Sequence, residues 1–168
     1  NVKKISEIIV TKKEIDMLSS SVDKSVILSL KNAISRIKSY HKKQFPKDNF
    51  YKDKEGVLLG GIWNPVDSVG LYVPGGKAAY PSSLIMNAVP AIVAGVERIT
   101  ITVPATNGKL NPIILASAKL LGINEIYKIG GAQAIAALAY GTKTIQKVDK
   151  IVGPGNAFVA AAKKQVFG

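Results

Sequence analysis

Apolar and polar residues in the first quarter of the chain recur with the spacing of a helix. This pattern predicts an amphipathic helix over about 22–43, with a lysine-rich polar face, that ends before Pro46. Thr11 and Glu14 have the spacing of a capping box, so a shorter helix is predicted over about 12–20. Residues 5–10 are mostly β-branched and suggest a short strand. The apolar positions of the longer helix are Val22, Val26, Ile27, Leu30, Ile34 and Ile37.

The pattern changes further along the chain. Residues 44–56 are polar and predict a linker, so we divide the chain into an N-terminal helical segment, 1–56, and an α/β domain, 57–168. Strands and helices are predicted to alternate in that domain, which indicates a parallel sheet with helices on both faces. Extended segments or strands are predicted at 57–63, 66–73, 98–103, 125–129 and 148–152, and helices at about 84–94, 111–121, 132–140 and 157–166.

Glycine-rich turns follow three of these strands, at Pro74-Gly75-Gly76, Gly130-Gly131 and Gly153-Pro154-Gly155-Asn156. In an open parallel sheet such turns lie beyond the carboxyl ends of the strands, where ligands bind. Glycine allows a ligand to approach the backbone closely, and the helix that follows offers free N–H groups. The turns therefore favour a nucleotide-sized ligand. The alternative is that the glycines serve only the tight turn geometry.

Three side chains beside these turns suit a nucleotide. Tyr72 offers a flat ring for stacking on a base, although a buried strand aromatic is an equal alternative. Gln133 and Asn156 carry amides that could bind ribose hydroxyls. For Asn156 the alternative is a helix N-cap.

Composition narrows the possible functions. The 168 residues contain no cysteine, which excludes disulfides and cysteine-ligated metals, and no apolar run approaches the length of a membrane span. The net charge is +12, but the basic residues are spread along the chain, and all of them except Arg36 and Arg98 are lysines. A nucleic-acid-binding surface is therefore not expected. We expect a cytoplasmic protein without nucleic-acid or membrane partners.

The residues themselves predict no catalytic centre. The turn at Gly153 begins like a dinucleotide fingerprint, but Phe158 stands where its third glycine would be. His41 is the single histidine and lies late in a lysine-rich helix, where a solvated histidine is the simplest interpretation. We therefore predict no catalytic and no metal-ligating residue within these positions.

Three long motifs, in this order, closely resemble histidinol dehydrogenase. They are Gly70-Leu71-Tyr72-Val73-Pro74-Gly75-Gly76, the segment 130–142 that starts Gly130-Gly131-Ala132-Gln133, and the segment 148–159 that contains Gly153-Pro154-Gly155-Asn156. The resemblance implies a Rossmann-like fold and a homodimeric, zinc-dependent enzyme that oxidises L-histidinol through L-histidinal to L-histidine with NAD. By motif position it implies that Tyr72, Gln133 and Asn156 bind NAD, and that Ser82 lies near the substrate.

The same resemblance implies that the zinc ligands and the catalytic acid–base pair of the family are not among these residues. In the family, the zinc ligands and a catalytic Glu–His pair lie downstream of the Gly-Pro-Gly-Asn motif, and an N-terminal helical segment precedes the matching part. The expectation is that this chain forms the NAD side of the enzyme and is inactive alone. The alternatives are a short, non-catalytic nucleotide-binding homologue and a basic nucleic-acid-binding domain.

Overall fold

Six α-helices and six β-strands occur in the computed structural model, which describes residues 5–75 and 79–167. The helices are α1 Lys12–Ser20, α2 Lys24–Lys42, α3 Pro81–Ala94, α4 Pro112–Leu120, α5 Ala132–Tyr140 and α6 Ala157–Gln165. The strands are β1 Asn49–Lys52, β2 Leu58–Gly61, β3 Ser68–Tyr72, β4 Arg98–Thr102, β5 Glu125–Tyr127 and β6 Lys150–Val152. All six helices lie where the sequence predicts them. None of the described helices is long and apolar enough to cross a membrane.

Four parallel strands form the central sheet, in the order β5-β4-β3-β6. Helix α4 contacts α1, α2 and α3, α2 also contacts α3, and α5 contacts α6. After β5 the chain passes β4 and β3 and adds β6 on the far side of β3, which reverses the direction of winding. The predicted α/β fold, a parallel sheet with flanking helices, is confirmed. Its switch point lies between β3 and β6.

The core is centred on β3, whose five residues are all buried. Gly70 in the middle of this strand has no side chain because Leu138 of α5 occupies the space. A Cβ on Gly70 would lie 2.9 Å from Leu138 Cδ1. Leu138 is itself fully buried, so the absent side chain lets α5 pack directly against the sheet.

The strand expected over residues 5–10 is wrong. Ile5–Ile8 form a 3-10 helix, and only Ile9 makes an isolated antiparallel bridge, with Tyr127 at the edge of the sheet. The predicted cap on α1 is confirmed, since Thr11 Oγ1 accepts a hydrogen bond of 3.2 Å from Glu14 N. This cap turns the chain into α1 almost at once, which leaves no room for a longer strand.

The linker expected over residues 44–56 contains strand β1, which pairs antiparallel with β2. The turn between the strands is held by Asp53, whose Oδ1 accepts hydrogen bonds of 2.9 Å from both Glu55 N and Val57 N. Every residue of both strands is exposed, so burial leaves no alternating pattern in the sequence. The linker prediction is therefore wrong over Asn49–Lys52. The division of the chain after residue 56 stays a prediction.

The phenol of Tyr127 at the end of β5 gives a testable pH effect. Burial, and then the negative charge of Glu125, raises the pKa of Tyr127 from 10.0 to about 12. Its hydroxyl lies 3.0 Å from the Thr144 carbonyl oxygen and 3.2 Å from Glu125 Oε1. Because the fold favours the neutral phenol, the stability that the buried Tyr127 side chain contributes is complete below pH 10.0. It is lost as the pH rises toward about 12.

We therefore expect ultraviolet titration of the folded protein to show a phenol that ionises near pH 12 and is missing from Tyr127→Phe. If the tyrosine that is missing from Tyr127→Phe ionises near pH 10.0, and the two titration curves agree near pH 12, this interpretation is contradicted.

Candidate functional site

The described parts of the three glycine turns lie at the carboxyl edge of the parallel sheet. Gly75 follows β3, Gly130 and Gly131 follow β5, and Gly153 follows β6. Gly76 of the first turn is outside the described residues. Because β3 and β6 are neighbours at the switch point, the loops that follow them lie where open α/β sheets bind ligands.

Close contacts within the chain explain several turn glycines without a ligand. A Cβ on Gly130 would lie 2.2 Å from Pro104 Cγ, and a Cβ on Gly75 would lie 2.6 Å from the Pro104 carbonyl oxygen. A Cβ on Gly153 would lie 2.0 Å from the Tyr72 carbonyl oxygen. Tight chain packing, the alternative weighed for these glycines, is therefore present at all three. The glycines bring the loops after four strands together at one edge.

Among the described helices that follow strands of the sheet, α3 begins without a side-chain cap, and so does α5. Its N-cap residue, Gly131, has a φ of 73°, and no side chain caps the helix. The Gly131 N–H donates a hydrogen bond of 3.1 Å to the Tyr72 hydroxyl oxygen. The first turn of α5 therefore carries the partial positive charge of a helix N-terminus without a side-chain acceptor.

Tyr72 is a buried strand residue, with 4% of its surface exposed. Its ring belongs to a cluster with Ala134, Ile135 and Val159, and its hydroxyl reaches the Gly131 turn. This is the alternative that we weighed against base stacking, because a ring so covered presents no open face. Tyr72 connects β3 to the start of α5 through its hydroxyl. Its contact with NAD stays a prediction.

The other three predicted residues are exposed. Asn156 caps α6, since its Oδ1 accepts a hydrogen bond of 3.1 Å from Val159 N, which is the N-cap alternative. Gln133 lies in the first turn of α5, with its Oε1 beside Gly131. Ser82 lies in the first turn of α3, beyond residues 76–78. The structure thus places Tyr72 and Gln133 at the same turn and Asn156 on the loop after the strand adjacent to Tyr72.

Lys163 is a residue of this edge that the sequence analysis missed. In the structure its Nζ reaches back along α6 and donates a hydrogen bond of 2.5 Å to the Gly153 carbonyl oxygen. Burial lowers the pKa of this amine. No sequence signal marks such a contact, because it depends on how α6 lies against β6.

No metal centre is found among the described residues. Within residues 5–75 and 79–167, no three His, Asp or Glu side chains are placed to hold an ion. His41 packs edge-on against Tyr40, with ring centroids 5.2 Å apart, and lines an apolar groove with Phe45 and Trp63. The residues described here therefore do not fit a zinc ion.

Two substitutions at Asn156 separate its capping role from ligand binding. Asn156→Ala removes the cap, and we expect it to destabilise the fold by about 1 kcal/mol. Asn156→Ser keeps a capping oxygen but lacks the amide NH2, so stability should stay near that of the parent while NAD affinity falls. Urea unfolding and NAD titration measure the two effects. Unchanged NAD affinity in Asn156→Ser would leave Asn156 with a structural role only.

Comparison with known proteins agrees with the motifs. The histidinol dehydrogenase family model matches residues 1–168. The histidinol dehydrogenase of Rhizobium meliloti (strain 1021) is 61% identical over 159 residues, which cover 95% of this chain and 37% of the relative. That of Agrobacterium fabrum (strain C58) is 62% identical over the same length and shares. The chain thus spans about 37% of the length of these curated relatives.

A solved structure shows the same fold. The crystal structure of histidinol dehydrogenase from Elizabethkingia anophelis superimposes with a TM-score of 0.92 at 39% identity, covering 98% of this chain and 38% of that one. The family match, the two relatives and this structure agree over nearly the whole chain. This chain belongs to the histidinol dehydrogenase family.

Proposed function

We propose that this chain forms the NAD-binding side of a histidinol dehydrogenase that oxidises L-histidinol through L-histidinal to L-histidine. The observation that carries the proposal is the switch point between β3 and β6, with glycine turns after both strands, in a chain of this family. Ligands of open parallel sheets bind at this kind of switch point. The proposal includes a cytoplasmic homodimer without nucleic-acid or membrane partners.

Each residue of the edge has a part in this proposal. The first turn of α5, which no side chain caps, receives the diphosphate of NAD. The amides of Gln133 and Asn156 bind ribose hydroxyls. Tyr72 holds the Gly131 turn through its hydroxyl. Bound NAD supplies the hydride acceptor. Ser82, exposed at the start of α3, is proposed to lie near the substrate.

Zinc and proton transfer are proposed to depend on residues outside this chain. No three described side chains fit a metal ion, and His41 lies in an apolar groove with residues of α2 and α3. The chain therefore contributes orientation and binding of the nucleotide, whereas the metal and the acid–base pair belong to other parts of the full-length enzyme.

This proposal predicts that the chain is active only as part of a full-length enzyme. The 168-residue chain, given NAD and L-histidinol, is expected to form no NADH. A graft in which the chain replaces the matching 159 residues of the Rhizobium meliloti enzyme is expected to form NADH, with that enzyme as the positive control. NADH absorbance measures both. Robust turnover by the chain alone would contradict the proposal, and a folded graft that binds NAD without turnover would favour a non-catalytic homologue.

A further inference from the structure

The hairpin of β1 and β2 exposes large apolar side chains on both of its faces. Phe50 is 54% exposed, Tyr51 55% and Leu58 64%. Phe50 and Tyr51 are adjacent in β1, so their side chains point to opposite faces of the hairpin. A two-stranded hairpin with both faces in water is marginally stable at best. Something is therefore expected to cover it.

An apolar groove continues from the hairpin. It has a volume of about 270 Å³ and lies between the end of α2, the segment that follows β2, and α3. Its lining includes Phe45, Trp63, Pro90 and Val93, and Trp63 is 63% exposed. We call residues 45–66, together with Pro90 and Val93, the hairpin surface. Isolated monomers rarely expose a contiguous apolar patch of this kind.

The charges of the hairpin surface distinguish it from the rest of the chain. Residues 45–66 contain equal numbers of lysines and acidic residues, whereas the whole chain has a net charge of +12. The run from Val57 to Trp63, which includes β2, carries no charge at all. Exposed edge strands usually carry charges that prevent pairing. A neutral, apolar surface with an unprotected strand edge fits a permanent apolar contact better than an acidic partner.

We infer that the hairpin surface is covered by the polypeptide that flanks the matching region in full-length family members. More than half of the length of each of the relatives described above lies outside that region, because the match covers 37% or 38% of each. A covalently linked segment meets this surface at high effective concentration. A second copy of the isolated 168-residue chain would instead bring together two molecules that each carry +12, an argument that does not extend to the homodimer proposed for the full-length enzyme. The inference rests on the proposed function only in requiring the full-length polypeptide.

Hydrogen exchange of the graft described above tests this inference. Amides of residues 49–61 are expected to exchange about tenfold or more slowly in the graft than in the 168-residue chain. Amides of β4, which is central in the sheet, serve as an internal control for folding in both samples. Equally fast exchange of residues 49–61 in the folded graft would overturn the inference. Slow exchange in the chain alone, with a dimeric mass by light scattering, would overturn it in favour of a second copy.

A matched pair of variants in the graft gives a second test that does not require the isolated chain to fold. Leu58 in β2 is 64% exposed and Leu28 in α2, outside the hairpin surface, is 60% exposed. Leu58→Lys is expected to lower the midpoint of thermal unfolding by about 5 °C or more, because it places a charge in a covered apolar contact. Leu28→Lys is expected to change it little. Equal shifts for the two variants would overturn the inference.

The same graft keeps this inference distinct from the proposed function. Histidinol oxidation by a graft whose hairpin exchanges fast would overturn the inference and leave the function standing. A protected hairpin in a graft that neither binds NAD nor oxidises histidinol would support the inference and contradict the function.

Discussion

Gly153→Ala is expected to destabilise the fold by about 3–5 kcal/mol, the sum of backbone strain and overpacking. Gly153 has a φ of +115°, and an added Cβ would lie 2.0 Å from the carbonyl oxygen of Tyr72. Neither backbone can move away freely, because Leu71 and Val152, the adjacent residues, are paired in the sheet. Urea unfolding of the variant and the parent measures the loss.

Gly108→Ala is the control for this substitution. Gly108 also has a positive φ, of +72°, but no atom lies within 4 Å of its added Cβ. This variant carries the backbone strain without the clash, so we expect a loss of about 1 kcal/mol. Equal losses of stability in the two variants would show that the Gly153 turn is not packed against β3 as described.

Tyr72→Ala is expected to cost about 3–5 kcal/mol of stability and to weaken NAD binding about tenfold or more. The ring fills a buried position against α5 and α6, so its removal leaves a cavity. It also removes the acceptor of the Gly131 N–H at the start of α5. Urea unfolding and NAD titration of the graft separate the two effects. Unchanged NAD affinity in a folded Tyr72→Ala graft would remove Tyr72 from the site.

Tyr72→Phe isolates the hydroxyl. It keeps the packing of the ring and removes only the hydrogen bond of 3.1 Å from Gly131 N. We expect a loss of about 1 kcal/mol in stability and a smaller loss of NAD affinity than in Tyr72→Ala. A Tyr72→Phe protein with the stability and the NAD affinity of the parent would show that the hydroxyl does not position the turn. This variant carries the test if Tyr72→Ala fails to fold.

The helices and the central strands could be predicted from the sequence because their signals are local. The apolar stripe of α2 has helical period, and β4 is a run of β-branched residues between a glycine and a proline. Glycine turns mark the places where strands pass into helices. The family resemblance then supplied candidate residues that periodicity alone could not give.

The errors have a physical reason in common. Residues 5–10 and 44–56 lie at edges of the structure, where burial imposes little pattern. The hairpin is exposed on all its strand residues, so nothing in its sequence records a buried face. The 3-10 helix at Ile5–Ile8 has no buried residue either. Sequence periodicity reports burial, and Val10 is the single buried residue within 5–10 and 44–56.

Contacts between different elements of the chain could not be predicted from the sequence either. Pro104 occupies the space beside both Gly75 and Gly130, and Lys163 binds the carbonyl of Gly153. The glycines could be recognised as special, but whether a ligand or the chain itself approaches them depends on the folded geometry. Tyr72 illustrates the same limit, since a strand aromatic beside a turn can be buried or open.

An NMR titration of the 168-residue chain with NAD, followed through its backbone amides, tests whether this chain forms the NAD side of the enzyme. We predict saturable shifts at Gly131, Gln133 and Asn156, and no shifts across the hairpin strands Asn49–Lys52 and Leu58–Gly61. Gly131 and Gln133 lie at the start of α5, beside the Tyr72 hydroxyl, and Asn156 caps α6 after β6, whereas the hairpin belongs to a separate sheet. Absence of saturable shifts at Gly131, Gln133 and Asn156, or shifts centred on the hairpin, would contradict the proposal that this chain forms the NAD side of the enzyme.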